Sequence, residues 1–151
     1  MVRGPSDIRP EQGDALFPWL AGHASLDQLR WFLEQEIDGE AGFEDLVALT
    51  QGKLPDRAKM ELARSYWDEM GRGNVAGMHG PMLNALAVRL DIHAEIETTV
   101  PESLALANTM VAFATARRTV WHLVGALGVI ESTAPARSAA VAAGLRRLAA
   151  A

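Results

Sequence analysis

The sequence contains no cysteine. That absence excludes disulfides, zinc–thiolate sites and iron–sulfur clusters. It also fits a reducing compartment, so a cytoplasmic location is expected. A basic excess is missing as well. Fourteen Lys and Arg stand against nineteen Asp and Glu, for a formal net charge of −5. Basic residues form no cluster larger than a pair such as Arg146-Arg147, which argues against a nucleic-acid partner. The longest apolar stretch, Leu104 to Ile130, carries Arg117 and Arg118 at its middle. A bilayer tolerates charge least at that depth, so no membrane partner is expected. The N-terminus has no apolar signal core, because Arg3, Asp7, Arg9, Glu11 and Asp14 follow one another too densely. No stretch alternates for long enough to make a strand, and there is no internal repeat.

What the chain does have is a helical period from end to end. Its 151 residues suffice for one domain with a core of its own. Residues 1–24 read as a loose leader marked by Pro and Gly, and residues 25–151 as a helical domain. Ser25-Leu26-Asp27-Gln28 is a capping box that opens a first helix running to about Thr50, with Gly39 and Gly42 as weak points. Gln51–Leu54 is a turn, and Pro55 suits the start of a second helix, which Gly71 and Gly73 stop. A third helix is expected from about Val75 to Leu90. Pro101 opens a long fourth helix to about Glu131, and Ser132-Thr133-Ala134-Pro135 caps a fifth. The fold class is therefore an all-α bundle with short connections.

Facing selects the residues that matter. On the second helix Arg57, Glu61, Arg64, Asp68 and Arg72 form a solvated stripe, whereas Glu69 shares a side with Leu62, Ser65 and Tyr66. On the third, His79 lies in the first turn of an apolar face with Val75, Met82, Leu83, Leu86 and Leu90. An acid and an imidazole directed into an apolar interior are costly unless something binds them there, and a metal ion would. Ten residues separate Glu69 from His79, ~15 Å along a straight helix, too far for one site. Gly71 and Gly73 allow the chain to turn back and bring the two together. The same break is what an ordinary helix–turn–helix shows, and a lone histidine on an apolar face is commonly a neutral core imidazole.

The first helix adds Glu36, Glu40 and Glu44 at intervals of four. Glu36 and Glu40 both border its apolar stripe, so either reaches a core site or lines a solvated edge. Carboxylate with imidazole suits iron or manganese. An imidazole of ordinary basicity would release such a metal as pH falls below ~6.5. Asn108, Thr115 and His122, seven apart, make a polar track along the fourth helix. Trp31, Trp67 and Trp121 read as core and boundary aromatics, and Gly125 and Gly128 as points of close helix approach.

These residues carry a resemblance. Phe43-Glu44-Asp45-Leu46-Val47-Ala48-Leu49, Lys59 with Glu61-Leu62-Ala63-Arg64, Tyr66-Trp67-Asp68-Glu69-Met70-Gly71 with His79, and Gly125–Glu131 resemble the iron-containing redox enzymes of haem-oxygenase-like fold. That family includes the haem-oxygenase-like diiron oxidases and oxygenases. The resemblance spans about Leu26 to Leu148. Its most specific part is the Asp68-Glu69-x-Gly71 segment with a histidine ten residues beyond the glutamate.

The resemblance implies a metal half-site of Glu69, His79 and an earlier-helix glutamate, which falls on Glu36 with Glu40 as runner-up. It implies non-haem iron, two irons in a full-length form, and dioxygen and a small molecule as reaction partners. A homodimer is a further expectation. The family's other half-site comes from a later helix with a histidine, an acid four residues on and a second histidine. The chain ends at Ala151 where that helix would approach, so the bundle reads as incomplete at its C-terminus. The leading expectation is a non-haem, dioxygen-activating iron oxidoreductase. The rival is a non-catalytic helical fragment or partner-binding remnant that keeps the fold without a complete metal site.

Overall fold

The computed structural model describes residues 14–40 and 42–150. The part of the leader before Asp14 lies outside them. Among the described residues there are helices and turns and no strand. The helices are α1 (Leu16–Gly22), α2 (Leu26–Glu40), α3 (Phe43–Gln51), α4 (Asp56–Glu69), α5 (His79–Leu90), α6 (Pro101–Thr115) and α7 (Val120–Ala149). Short 3-10 turns occupy Gly71–Gly73, Val75–Gly77 and Arg117–Thr119. None of these helices is long and apolar enough to cross a membrane.

The described residues divide into two compact units, one formed by the chain up to Trp31 and from Leu127 onward, the other by Phe32–Ala126. In the first, the segment expected as a loose leader contains α1, whose Phe17 and Leu20 are buried. The capping box at the start of α2 forms as expected. Gln28 N donates to Ser25 Oγ at 3.2 Å, and Ser25 N donates to Gln28 Oε1 at 2.9 Å. Gly144 is the glycine that permits close approach here. A Cβ on it would strike Leu20 O and come within 3.2 Å of Leu29 Cδ1. The Arg147 guanidinium donates to the carbonyl of Ala21, which the last turn of α1 leaves without a helical partner, and to that of Ala24 just beyond the helix.

In the second unit α3 packs against α4, α5 and α6, burying Phe43 and Val47 with Leu33, Leu54, Met110, Ala114 and Leu123. The α2 side chains Glu34, Gln35 and Asp38 hold the turn that precedes α6. Thr98 Oγ1 donates to Glu34, Thr99 Oγ1 to Asp38, and Val100 N to Gln35 Oε1 at 2.7 Å. The last bond gives an acceptor to an amide that the start of α6 would otherwise leave open.

Several expectations are corrected. The first helix does not run unbroken to Thr50. Gly42 takes φ +76°, a left-handed conformation that glycine adopts without strain, and this separates α2 from α3. The fourth helix ends at Thr115. Thr119 Oγ1 donates to the carbonyls of Phe113 and Ala116, which a continuous helix would give to backbone amides. Asn108, Thr115 and His122 are therefore not one helical track. All three are exposed, and the Thr115 hydroxyl turns back onto Val111 O.

Ser132–Pro135 does not open a fifth helix. The Ser132 and Thr133 hydroxyls donate backward to Val129 O instead of capping forward amides, and α7 runs through Pro135. Gly125 and Gly128 have open space where a Cβ would sit. Trp31, Trp67 and Trp121 are each more than half exposed rather than core. The expected third helix begins at His79 rather than Val75; Val75, in the 3-10 turn ahead of α5, and Met82 on α5 are both exposed, and no residue of α5 is buried.

Candidate metal centre

Two local features build the site. The first is the turn between α4 and α5. Gly71, Arg72 and Gly73 take φ of 59°, 53° and 86°, three left-handed residues in succession. Gly71 is required on a second ground, since a Cβ there would lie 2.5 Å from Gly77 C and 2.7 Å from Met78 N. An isolated antiparallel bridge pairs Met70 with Met78. These are the residues just past Glu69 and just before His79, so the turn brings the two side chains face to face. The expected solvated stripe runs alongside, with Arg64 bonded to Glu61 at 2.6 Å and Arg72 to Asp68 at 2.7 Å.

The second feature is the end of α2. His79 Nδ1 lies 3.3 Å from Glu69 Oε2, and His79 Nε2 lies 3.3 Å from Glu40 Oε2. Glu69 and His79 are mostly buried, their side chains 17% and 24% exposed. The Glu40 contact has ion-pair distance without hydrogen-bond alignment, which leaves Nε2 among the buried atoms lacking a hydrogen-bond partner. The carboxylates of Glu40 and Glu69, in that order of effect, push the His79 imidazole up to about 10, against the desolvation that would lower it. The imidazole is thus a cation at neutral pH. The release of metal expected at an ordinary imidazole value must be moved upward accordingly.

Glu44 is the residue that sequence reasoning passed over. Its Oε2 is buried with no hydrogen-bond partner, and its Oε1 would be 2.9 Å from a Cβ on Gly80. The ring of the adjacent Phe43 lies against His79, centroids 5.5 Å apart. Read as one helix through Thr50, the first segment carried Glu44 on the same edge as Glu40. The left-handed Gly42 resets the phase and sends Glu44 to the start of α5. A glycine directly after the histidine was the available signal. Glu36 stands one turn before Glu40 on α2 and is partly buried.

The donors are carboxylate oxygens and an imidazole nitrogen, a set suited to iron or manganese. Two buried polar atoms, Glu44 Oε2 and His79 Nε2, have no hydrogen-bond partner. A metal cation would supply one to each once the imidazole has lost its proton. In chemistry the residues fit. In geometry they form an ion-paired cluster, because no group of three or more ligand-type side chains converges closely enough to hold a metal among the described residues.

A family model for iron-containing redox enzymes matches residues 30–151. The chain belongs to that family, and its fold is the all-α, haem-oxygenase-like one. No curated protein matches the chain, and no solved structure does.

Proposed function

We propose that the protein is a non-haem iron oxidoreductase of the diiron, dioxygen-activating type, acting on a small molecule in the cytoplasm. The observation that carries this reading is the imidazole of His79 set between the carboxylates of Glu69 and Glu40, with Glu44, whose Oε2 has no hydrogen-bond partner, against the next residue, Gly80. Glu69 and His79 would ligate one iron. The carboxylate from the first helical segment would come from Glu36 or Glu40, and the 3.3 Å contact favours Glu40. Glu44 would add a further oxygen.

Iron held there would supply the electrons for reduction of dioxygen. The chain's own residues do the remaining work. Glu40 and Glu69 hold a proton on His79 in the metal-free protein, and that proton must leave before a nitrogen can ligate. Phe43 covers one side of the imidazole and limits water. The partners are dioxygen and a small-molecule substrate. A second copy of the chain is the candidate for the exposed Leu106, Val111 and Trp121.

The test is anaerobic loading with ferrous iron followed by measurement of dioxygen uptake in the presence of a reductant. Uptake that requires iron and is lost in His79→Ala is the expected result. Failure to bind iron at all would favour the rival, a helical module without redox chemistry.

A further inference from the structure

Three methionines stand around the imidazole cluster. Met70 follows Glu69 and Met78 precedes His79, so each lies one residue, ~3.8 Å between Cα atoms, from a proposed ligand. The isolated bridge pairs the two with each other, and directly paired residues hold their Cβ atoms about 4.5–5.5 Å apart. Both are partly buried. Met82 stands one turn beyond His79 on α5 and is 51% exposed.

Met60 is the contrast. It is 63% exposed, but it precedes Glu69 by nine residues, ~14 Å along α4. At 100° per residue that spacing puts it on the opposite side of the helix. Exposure and closeness to the cluster therefore rank Met60 against Met70 and Met78 in opposite orders. Peroxide free in solution meets methionines in order of exposure, so Met60 is oxidised first. Peroxide activated by a metal at Glu69 and His79 meets the nearest sulfur, so Met70 and Met78 are oxidised first.

We propose that Met70 and Met78 are the sites at which the iron-loaded centre oxidises its own chain, and that their sulfoxides loosen its hold on iron. Localisation by iron rests on the metal centre proposed above. The oxidant is hydrogen peroxide, the two-electron reduction product of dioxygen. An S–O bond forms and the peroxide O–O bond breaks. The thioether sulfur gives up two electrons, the peroxide takes them, and its second oxygen leaves as water with both protons. No net electron is taken from iron. Each sulfoxide turns an apolar side chain polar. A polar group held partly buried is costly without a partner, so the bridged pair is driven apart toward water. The turn between them has no slack, since Gly71 already packs against Gly77 and Met78 N. Its displacement separates Glu69 from His79. Methionine sulfoxide reductases reverse the change, so the pair is a resettable limit on the centre.

The protein is treated with hydrogen peroxide either loaded with ferrous iron or held with excess chelator, and sulfoxides are mapped by peptide mass spectrometry. With chelator, Met60 is oxidised ahead of Met70 and Met78. With iron, Met70 and Met78 overtake it, and Glu69→Ala restores the chelator order. Calorimetric titration of the iron-treated protein, stripped and reloaded, shows affinity lowered about 10–100-fold, the usual loss when support of a ligand fails. A Met70→Leu, Met78→Leu double variant conserves apolar volume, binds iron as wild type and keeps that affinity after peroxide. Met60 leading under both conditions in protein that binds iron would overturn the proposal and leave the metal-centre reading standing. Unchanged affinity once Met70 and Met78 are sulfoxides, or an equal loss in the double variant, would also overturn it. Absence of iron binding in untreated wild type would overturn both.

Discussion

The Nδ1 of His79 lies 3.3 Å from Oε2 of Glu69, although ten residues separate them along the chain. A straight helix would hold them ~15 Å apart. Three left-handed residues, Gly71, Arg72 and Gly73, close that distance. The turn, more than either side chain, makes the site.

The first prediction follows from the charge on His79. Its folded value of about 10 lies above the unfolded value near 6.5. A raised value means that its contribution to stability is fully present below pH ~6.5 and is lost as pH rises through about 10. Histidine ring NMR on the metal-free protein should show His79 protonated at pH 8, and Glu40→Gln should bring its titration down. Titration of the wild-type imidazole near 6.5 would contradict the ion-paired geometry. Ferrous iron must displace this proton, so iron affinity should climb steadily between pH 6.5 and 9.

The second concerns the turn. Gly71→Ala meets both a positive φ and backbone atoms closer than 3 Å. It should cost about 1–3 kcal/mol in urea unfolding and uncouple Glu69 from His79. Gly80→Ala meets only the tip of the Glu44 side chain, so it should cost less stability. Equal losses in the two variants would mean that the close approach at Gly71 is not what shapes the turn.

The third concerns α7. A proline inside a helix lacks an amide donor and crowds the preceding turn, at about 3 kcal/mol. Pro135→Ala should therefore raise stability by about 1–3 kcal/mol. At the first position of a separate helix the same change would be near neutral or unfavourable. An unfolding midpoint that does not move would argue that two helices meet at Ser132–Pro135.

The fourth concerns the tryptophans. Trp31, Trp67 and Trp121 are 55%, 55% and 56% exposed. Their emission should be red-shifted and readily quenched by acrylamide. A blue-shifted, protected spectrum would place them under a covering surface, such as a second copy of the chain.

Helical period and facing were enough to read the all-α class, the capping box at Ser25, the glycine stop after Glu69, and the pairing of Glu69 with His79. Those features rest on local chemistry that each residue carries with it. What escaped depended on where hydroxyls and glycines commit their hydrogen bonds and dihedrals. Thr119 could cap α6 or continue it, and Ser132 could open a helix or turn back within one. Gly39 and Gly42 looked equally weak, yet Gly39 stays in α2 and Gly42 alone adopts the left-handed conformation. That one dihedral decides where Glu40 and Glu44 point. The tryptophans were misread because aromatic character does not say which face of an element meets a neighbour.

The most direct measurement compares two adjacent acids. Asp68 is exposed and paired with Arg72, whereas Glu69 is buried against His79. Loss of an exposed ion pair costs little. Calorimetric titration with ferrous iron at pH 8 should therefore give Asp68→Ala an affinity close to wild type. In Glu69→Ala and in His79→Ala, binding should be abolished. Equal affinities for the Asp68 and Glu69 variants would show that iron senses only a diffuse acidic surface, and the metal centre proposed at Glu69 and His79 would fall.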